Sequence, residues 1–156
     1  MRITLLCMGK TDFGFIREGI ALYRERMKRY INFALVEIPD KKKGEMSREE
    51  WMKREGEQIL SQVDGTDYLV LLDERGKQMN SQEFSGFVGM KMSQSVKHLV
   101  FVIGGAYGFS PEVNKRANAK ISLSSLTFSH QLVRLVFMEQ IYRAFTILKG
   151  EPYHHD

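Results

Sequence analysis

Leu99-Val100-Phe101-Val102-Ile103 is the run that most constrains the fold. Five apolar residues in a row, with no polar position among them, are the signature of a strand covered on both faces, not one with a wet side. Such a strand belongs in the middle of a parallel sheet, which needs helices above and below it. The rest of the chain supplies the parts. Arg2 to Met8 (ended by Gly9), Phe33 to Ile38 (stopped by Pro39), Tyr68 to Leu72 and Ile121 to Leu123 read as further strands. Between them lie helical patterns. Phe15, Ile16, Ile20, Tyr23 and Met27 recur at helical spacing in 13–29. Ser47 with Glu50 forms a capping-box signature for a helix to about Gln62, and Ser81 is expected to cap one through Met92. Ser110-Pro111-Glu112 places a capping hydroxyl, a proline at the first helical position and an acid in the first turn. A last helix spans His130 to Leu148. This alternation predicts an α/β fold: a largely parallel sheet with helices on both faces.

At 156 residues without repeats or linkers, the chain is expected to be a single domain, 1–156. One cysteine, Cys7, rules out an internal disulfide framework and suits a reducing, cytoplasmic setting. No segment has the ~20 consecutive apolar residues of a membrane span, and the amino terminus lacks a signal-peptide pattern. The net charge of +4 is carried by the first 56 residues, with Arg24, Arg26, Lys28, Arg29, Lys41, Lys42 and Lys43 as the main excess. Clustered cations of this kind suit a phosphate-bearing partner, or simply a solvated surface.

In parallel sheets ligands sit beyond the carboxyl ends of the strands. Three loops fall there, at 73–77, 104–108 and 124–129, the last of them within a serine-rich stretch. Gly104 and Gly105 permit a close backbone approach to a ligand, although neither a G-x-G-x-x-G nor a P-loop spacing is present. Ser122, Ser124, Ser125, Thr127 and Ser129 offer hydrogen-bonding groups, and Leu123, Leu126 and Phe128 apolar walls. Taken alone, the glycine loop reads equally well as a tight turn into a helix, and the serine loop reads better as a plain strand-to-helix connection. The helix from His130 is apolar around its circumference and must be covered on more than one side, either by a second subunit or by the middle of the chain's own core. Its polar positions pair as His130 with Arg134 and Glu139 with Arg143. The tail ends Pro152-Tyr153-His154-His155, where histidine suits proton transfer and tyrosine stacking. No metal-ligand spacing is evident, so no metal is expected.

Val-Ile-Gly-Gly-Ala-Tyr-Gly (102–108), Leu-Ser-Ser-Leu-Thr-Phe-Ser-His-Gln-Leu-Val-Arg (123–134), Glu-Gln-Ile-Tyr-Arg-Ala (139–144) and Pro-Tyr-His (152–154) together resemble the ribosomal RNA large subunit methyltransferase H family, a minimal branch of the SPOUT class. Glu37-Ile38-Pro39, Glu55-Gly56-Glu57-Gln58 and Gly76-Lys77 fit as well, so the resemblance covers the whole chain. It implies a deep C-terminal trefoil knot, a homodimer, and S-adenosylmethionine as cofactor. It also implies methylation of N3 of a pseudouridine in the helix 69 loop of 23S ribosomal RNA, on the assembled ribosome. Carried over residue by residue, the cofactor contacts are Leu72, Gly104 and Ser122 to Thr127 (Ser122, Leu123, Ser124, Ser125, Leu126, Thr127), with Gly105 and Phe128 adjacent. Ser129 stands where family members usually carry proline.

Under that resemblance His154 or His130 is the candidate for taking the N3 proton, with Arg143 or Arg134 stabilising anionic oxygen and Tyr142 and Tyr153 seating the base. One subunit's cofactor loop would then be completed by the other's tail or basic rim. The competing reading is a non-catalytic, ribosome-associated RNA-binding factor.

Overall fold

The computed structural model describes residues 1–40 and 44–155. The strands are β1 (Arg2–Met8), β2 (Asn32–Ile38), β3 (Tyr68–Gln78), β4 (His98–Ile103) and β5 (Ala119–Ser122). The helices are α1 (Gly14–Met27), α2 (Arg48–Ser61), α3 (Ser81–Ser93), α4 (Pro111–Arg116) and α5 (Leu132–Leu148). Every strand pair is parallel and the order is β2-β1-β4-β3-β5. The apolar run is β4, in the central position, hydrogen-bonded to β1 and β3.

Because successive side chains of a strand point to opposite faces, the sheet divides its residues between two cores. Ile3, Leu5, Cys7, Val70, Leu99, Phe101 and Ile103 face α1, α3 and α5, meeting Ile16, Ile20, Phe84, Val88, Phe137 and Ile141. Leu6, Met8, Leu69, Leu71, Val100 and Val102 face α2 and α4 through Ile59, Phe109 and Val113. The expected three-layer α/β arrangement is therefore present. Cys7 is fully buried, and burial pushes its thiol up to about 12, so it behaves as a small core hydrophobe.

Two local expectations are corrected. The polar residues after Leu72 are not a loop: β3 continues to Gln78, with a register shift between Leu72 and Lys77. Gly76 permits it, because a Cβ there would stand 2.6 Å from the main-chain nitrogen of Ile121 in β5. The cap of α3 is Asn80 and not Ser81. Asn80 Oδ1 accepts from the Glu83 N–H while Glu83 Oε2 accepts from the Asn80 N–H, closing a reciprocal box. Ser81 instead donates to Gln140 of α5. The caps expected at Ser47 and Ser110 are both made.

The apolar helix α5 is covered on two sides by the chain itself, lying between α1 and α3 with Phe137, Met138, Ile141, Ala144 and Phe145 buried. Its burial therefore does not require a second subunit. At its start, Ser129 Oγ accepts from the Leu132 N–H, so the serine in the place of proline caps the incoming turn.

Candidate active site

The carboxyl ends of β3, β4 and β5 open onto one cleft of about 690 Å³, within the usual range of small-molecule sites. All three stretches expected at that edge contribute to it, 73–75 as part of β3 and the other two as loops. Leu72, Gly104, Gly105, Leu123, Ser124 and Leu126 form part of the wall, with Thr127, Phe128 and His130 completing it. Ser122 and Ser125 do not line it. Ser122 is buried and donates to the Ser124 carbonyl at 2.8 Å, shaping the loop from behind. Ser124 Oγ in turn accepts from the Leu126 N–H, which leaves Leu126 73% exposed over the cleft.

The sequence names several lining residues only as members of a polar stretch at this edge, with no role given to them. The β3 continuation brings Asp73, Glu74 and Arg75 into the wall. Glu74 Oε2 accepts from Thr127 Oγ1 at 3.1 Å, tying the serine-rich loop to β3. Burial works against ionisation of Asp73, but hydrogen bonds from Arg75 prevail and hold its carboxyl below the usual range. Tyr107 is faced by the Arg48 guanidinium of α2 at 5.5 Å. Only the position of 73–75 directly after a strand could have signalled them.

Gly104 lies against the Phe109 ring, where a Cβ would stand 2.9 Å from the nearest ring carbon. Gly105 and Gly108 close a turn, the Gly108 N–H donating to the Gly105 carbonyl at 3.2 Å with Gly108 at φ +78°. The glycines thus bring bare main chain to the cleft wall.

The tail, by contrast, is anchored elsewhere. Glu151 accepts from Arg29 at 2.9 Å and from the Tyr30 hydroxyl at 2.7 Å, and Gly150 takes φ +66° to turn the chain. Tyr153 donates to Glu139 at 3.1 Å and its ring lies 4.8 Å from the Arg143 guanidinium. Burial first, then hydrogen bonds with Tyr23 and Glu139, push the Tyr153 hydroxyl well above its ordinary value. Arg143 makes the expected ion pair with Glu139 and also donates to His154 Nδ1 at 3.0 Å. Arginine has no acceptor, so Nδ1 is the accepting atom in this contact. Arg143, Tyr153 and His154 are therefore one assembled cluster.

That cluster is not beside His130. From Leu132 to Arg143 the helix rises about 17 Å at ~1.5 Å per residue, so cleft and tail occupy opposite ends of α5. Arg134 is also removed from the candidates for touching a ligand. It is 1% exposed, donating to the Met8 carbonyl, Thr11 Oγ1 and the His130 carbonyl and facing Glu37.

Comparison with known proteins fits this arrangement. The family described as "Predicted SPOUT methyltransferase" matches residues 1–154. The chain belongs to the SPOUT methyltransferase family. As such it is a methyltransferase, and the reading as a non-catalytic RNA-binding factor is set aside. It is similar to proteins named Ribosomal RNA large subunit methyltransferase H. The one from Christiangramia forsetii is 55% identical over 156 residues, 99% of each chain, and the one from Parabacteroides distasonis is 52% identical over 157 residues, all of both. The Flavobacterium johnsoniae relative is 51% identical over 156 residues, again 99% of each. SPOUT methyltransferases generally use S-adenosylmethionine, and the cleft's mixture of bare glycine backbone, apolar wall and carboxylates suits a purine nucleoside carrying a sulfonium cation. Among the described residues no cluster of three metal-ligating side chains occurs, and no helix is long and apolar enough to cross a membrane.

Proposed function

We propose that this chain methylates N3 of a pseudouridine in the helix 69 loop of 23S ribosomal RNA, on the assembled ribosome, with S-adenosylmethionine as donor. The observation that carries the reading is the cleft built from the loops after β4 and β5 and the β3 continuation, in a chain matching from end to end relatives named as large-subunit ribosomal RNA methyltransferases. Leu72, Leu123, Leu126 and Phe128 would present apolar surface to the adenine, Gly104 and Gly105 their main chain, and Asp73 and Glu74 negative charge to the sulfonium. The cofactor supplies an electrophilic methyl group; the protein's part is to place the acceptor in line and to manage one proton.

N3 of pseudouridine is an imide nitrogen and must lose its hydrogen as it attacks. His130 on the cleft wall and His154 in the tail are the groups proposed to assist, His154 once its Nδ1 has given up the bond from Arg143, with Arg143 offering positive charge to anionic oxygen. Since cleft and tail lie at opposite ends of α5, the working site is proposed to be composite, the tail coming from a second copy in a homodimer. An apolar patch supports this. Phe15 (64% exposed) and Leu22 (49%) share one face of α1, with Gly19 between them packed by Leu135, and Leu132 lies one turn away from Leu135 on α5. The basic rim adjoins the tail: Arg26 lies over the Tyr23 and Tyr142 rings and Arg29 over Tyr30, leaving Arg24 at the surface for phosphate, with Lys28 beside it in an exposed pair with Glu25. Lys41, Lys42 and Lys43, counted with that rim, lie outside the described residues. The trefoil knot belongs to the same proposal. It is supported by the path after edge strand β5, which returns across the carboxyl edge so that Gln131 bonds to Lys10 and Asp12 beyond β1.

The composite site is tested by mixing. A cofactor-loop variant such as Gly104→Val, inactive alone, is unfolded and refolded together with His154→Ala. Random pairing leaves one intact site in each mixed dimer, so activity should return to about a quarter of wild type. No recovery in demonstrated mixed dimers would show that cleft and tail of different subunits do not cooperate.

A further inference from the structure

Glu55 is a carboxylic acid in a place where one is costly. It sits on α2, 5% exposed, behind the glycine turn and not in the cleft wall. Oε1 accepts from the Trp51 indole N–H at 2.6 Å, one helical turn back. Oε2 is buried and makes no hydrogen bond of good geometry among the described residues, the nearby Gly105 N–H being the main-chain donor that faces the carboxylate, an expense that folded proteins rarely carry without a use. Both oxygens press on Gly105: a Cβ built there would stand 2.4 Å from each. The neighbouring residue explains the approach. Gly56 lets α2 close on the cap of α4, where a Cβ would meet Ser110 Oγ at 2.3 Å. Gly56 and Gly105 together thus bring this carboxyl onto the main chain of the turn.

We propose that Glu55 is a positioning residue for the donor site, holding the Gly104–Gly105 turn from behind in the shape the cleft requires without touching the ligand. The inference rests on the assignment of the cleft to S-adenosylmethionine and adds a residue to it. Nothing else in the described structure explains a carboxyl at this point, since leucine or methionine would fill the space between α2 and the turn at less cost to folding.

The sign of that cost gives the test. Burial is the main influence on Glu55 and raises its carboxyl above the usual range. The Trp51 bond pulls it down, the Asp40 charge raises it, and the nearby Gly105 N–H lowers it. With the folded pKa above the unfolded one, the folded protein binds the proton more readily between the two. Stability then falls as pH rises through that window, and above it the charged group works against folding. Glu55→Gln removes this opposition but also removes the carboxylate that faces the turn. The variant should melt at the wild-type temperature or above it at pH 8, with the difference shrinking as pH falls. Its dissociation constant for S-adenosylmethionine, measured by calorimetry, should nonetheless rise about fivefold to tenfold, the net scale of one ordinary hydrogen bond. KM for the donor should rise with it while kcat at saturation changes little.

If Glu55→Gln binds the donor as tightly as wild type, the positioning role is overturned while the cofactor assignment stands. Affinity lost only in step with a lower melting temperature would likewise overturn it, making the residue merely structural. A wild-type protein that binds no S-adenosylmethionine would overturn both.

Discussion

Arg134→Leu should lower the free energy of unfolding by about 3–5 kcal/mol, the range found when one partner of a buried polar network is removed. The guanidinium reaches three segments at once. Its Nη2 donates to the Met8 carbonyl at 2.8 Å, Nη1 to Thr11 Oγ1 at 2.8 Å, and Nε to the His130 carbonyl at 3.1 Å. It therefore joins the start of α5 to the turn after β1. Glu37 of β2, 3.4 Å from Nη1, also accepts from the Thr11 N–H, so the network extends to the sheet's edge. Leucine would leave the buried acceptors at Met8 and Thr11 without their donor, each at a cost of ~1–3 kcal/mol. The loss from the Glu37 pair itself is smaller, because that carboxylate is one-third exposed. Against a typical total of ~5–15 kcal/mol, such a change leaves a marginal protein. Arg134→Lys should fall between, since one ammonium cannot span the same acceptors. Urea denaturation followed by far-ultraviolet circular dichroism measures the effect, and a loss under ~1 kcal/mol for the leucine variant would show that the network does not hold α5 in place.

The second large effect is on turnover alone. Removing residues 150–156, or replacing His154 and Arg143 by alanine together, should reduce methyl transfer to ribosomes by at least ~10²-fold, the usual scale for a proton-transfer or charge-stabilising group. Affinity for S-adenosylmethionine should stay within about twofold of wild type. This separation follows from distance: about 17 Å of α5 lies between the tail cluster and the same chain's cleft. The cluster's own contacts explain why Arg143 and His154 belong together. Glu139 receives two bonds from Arg143 and one from Tyr153, which orients the guanidinium toward His154 Nδ1. Glu139→Gln should therefore impair turnover in the same direction but less. Equal loss of donor affinity and turnover in the tail variants would place the tail at the cleft of its own chain and remove the reason for a composite site.

Much of this was legible in the residues, and the limits have physical causes. The polarity of Leu99–Ile103 leads directly to a central strand, and Ser110-Pro111-Glu112 marks a helix start that the backbone indeed caps. The stretch 73–78 defeats such reading because strand pairing depends on what approaches, and only Gly76 against Ile121 shows that β5 can come so near. Asn80 outranks Ser81 as a cap because the reciprocal bond requires the acid three residues on, which for Asn80 is Glu83. Arg134 looked available from its place on a helix, but which buried carbonyls it meets is set by the return of α5 to β1, a contact between residues more than a hundred positions apart. The tail histidine gained meaning only from Arg143 and Glu139 beneath it. For Glu55, a signal did exist. Trp51 and Glu55 are one turn apart on a helix and Gly56 follows, which marks a face built for close approach, though not what it approaches.

The central claim is the reaction itself. Purified protein and labelled S-adenosylmethionine should be incubated with intact 70S ribosomes from cells lacking this activity, and separately with their extracted 23S RNA, followed by mapping of the modified nucleotide. The account predicts one methyl group per ribosome, on N3 of a pseudouridine in the helix 69 loop, with free RNA a poor substrate. Label on another nucleotide, or no transfer to ribosomes by a protein that binds the donor, would contradict it.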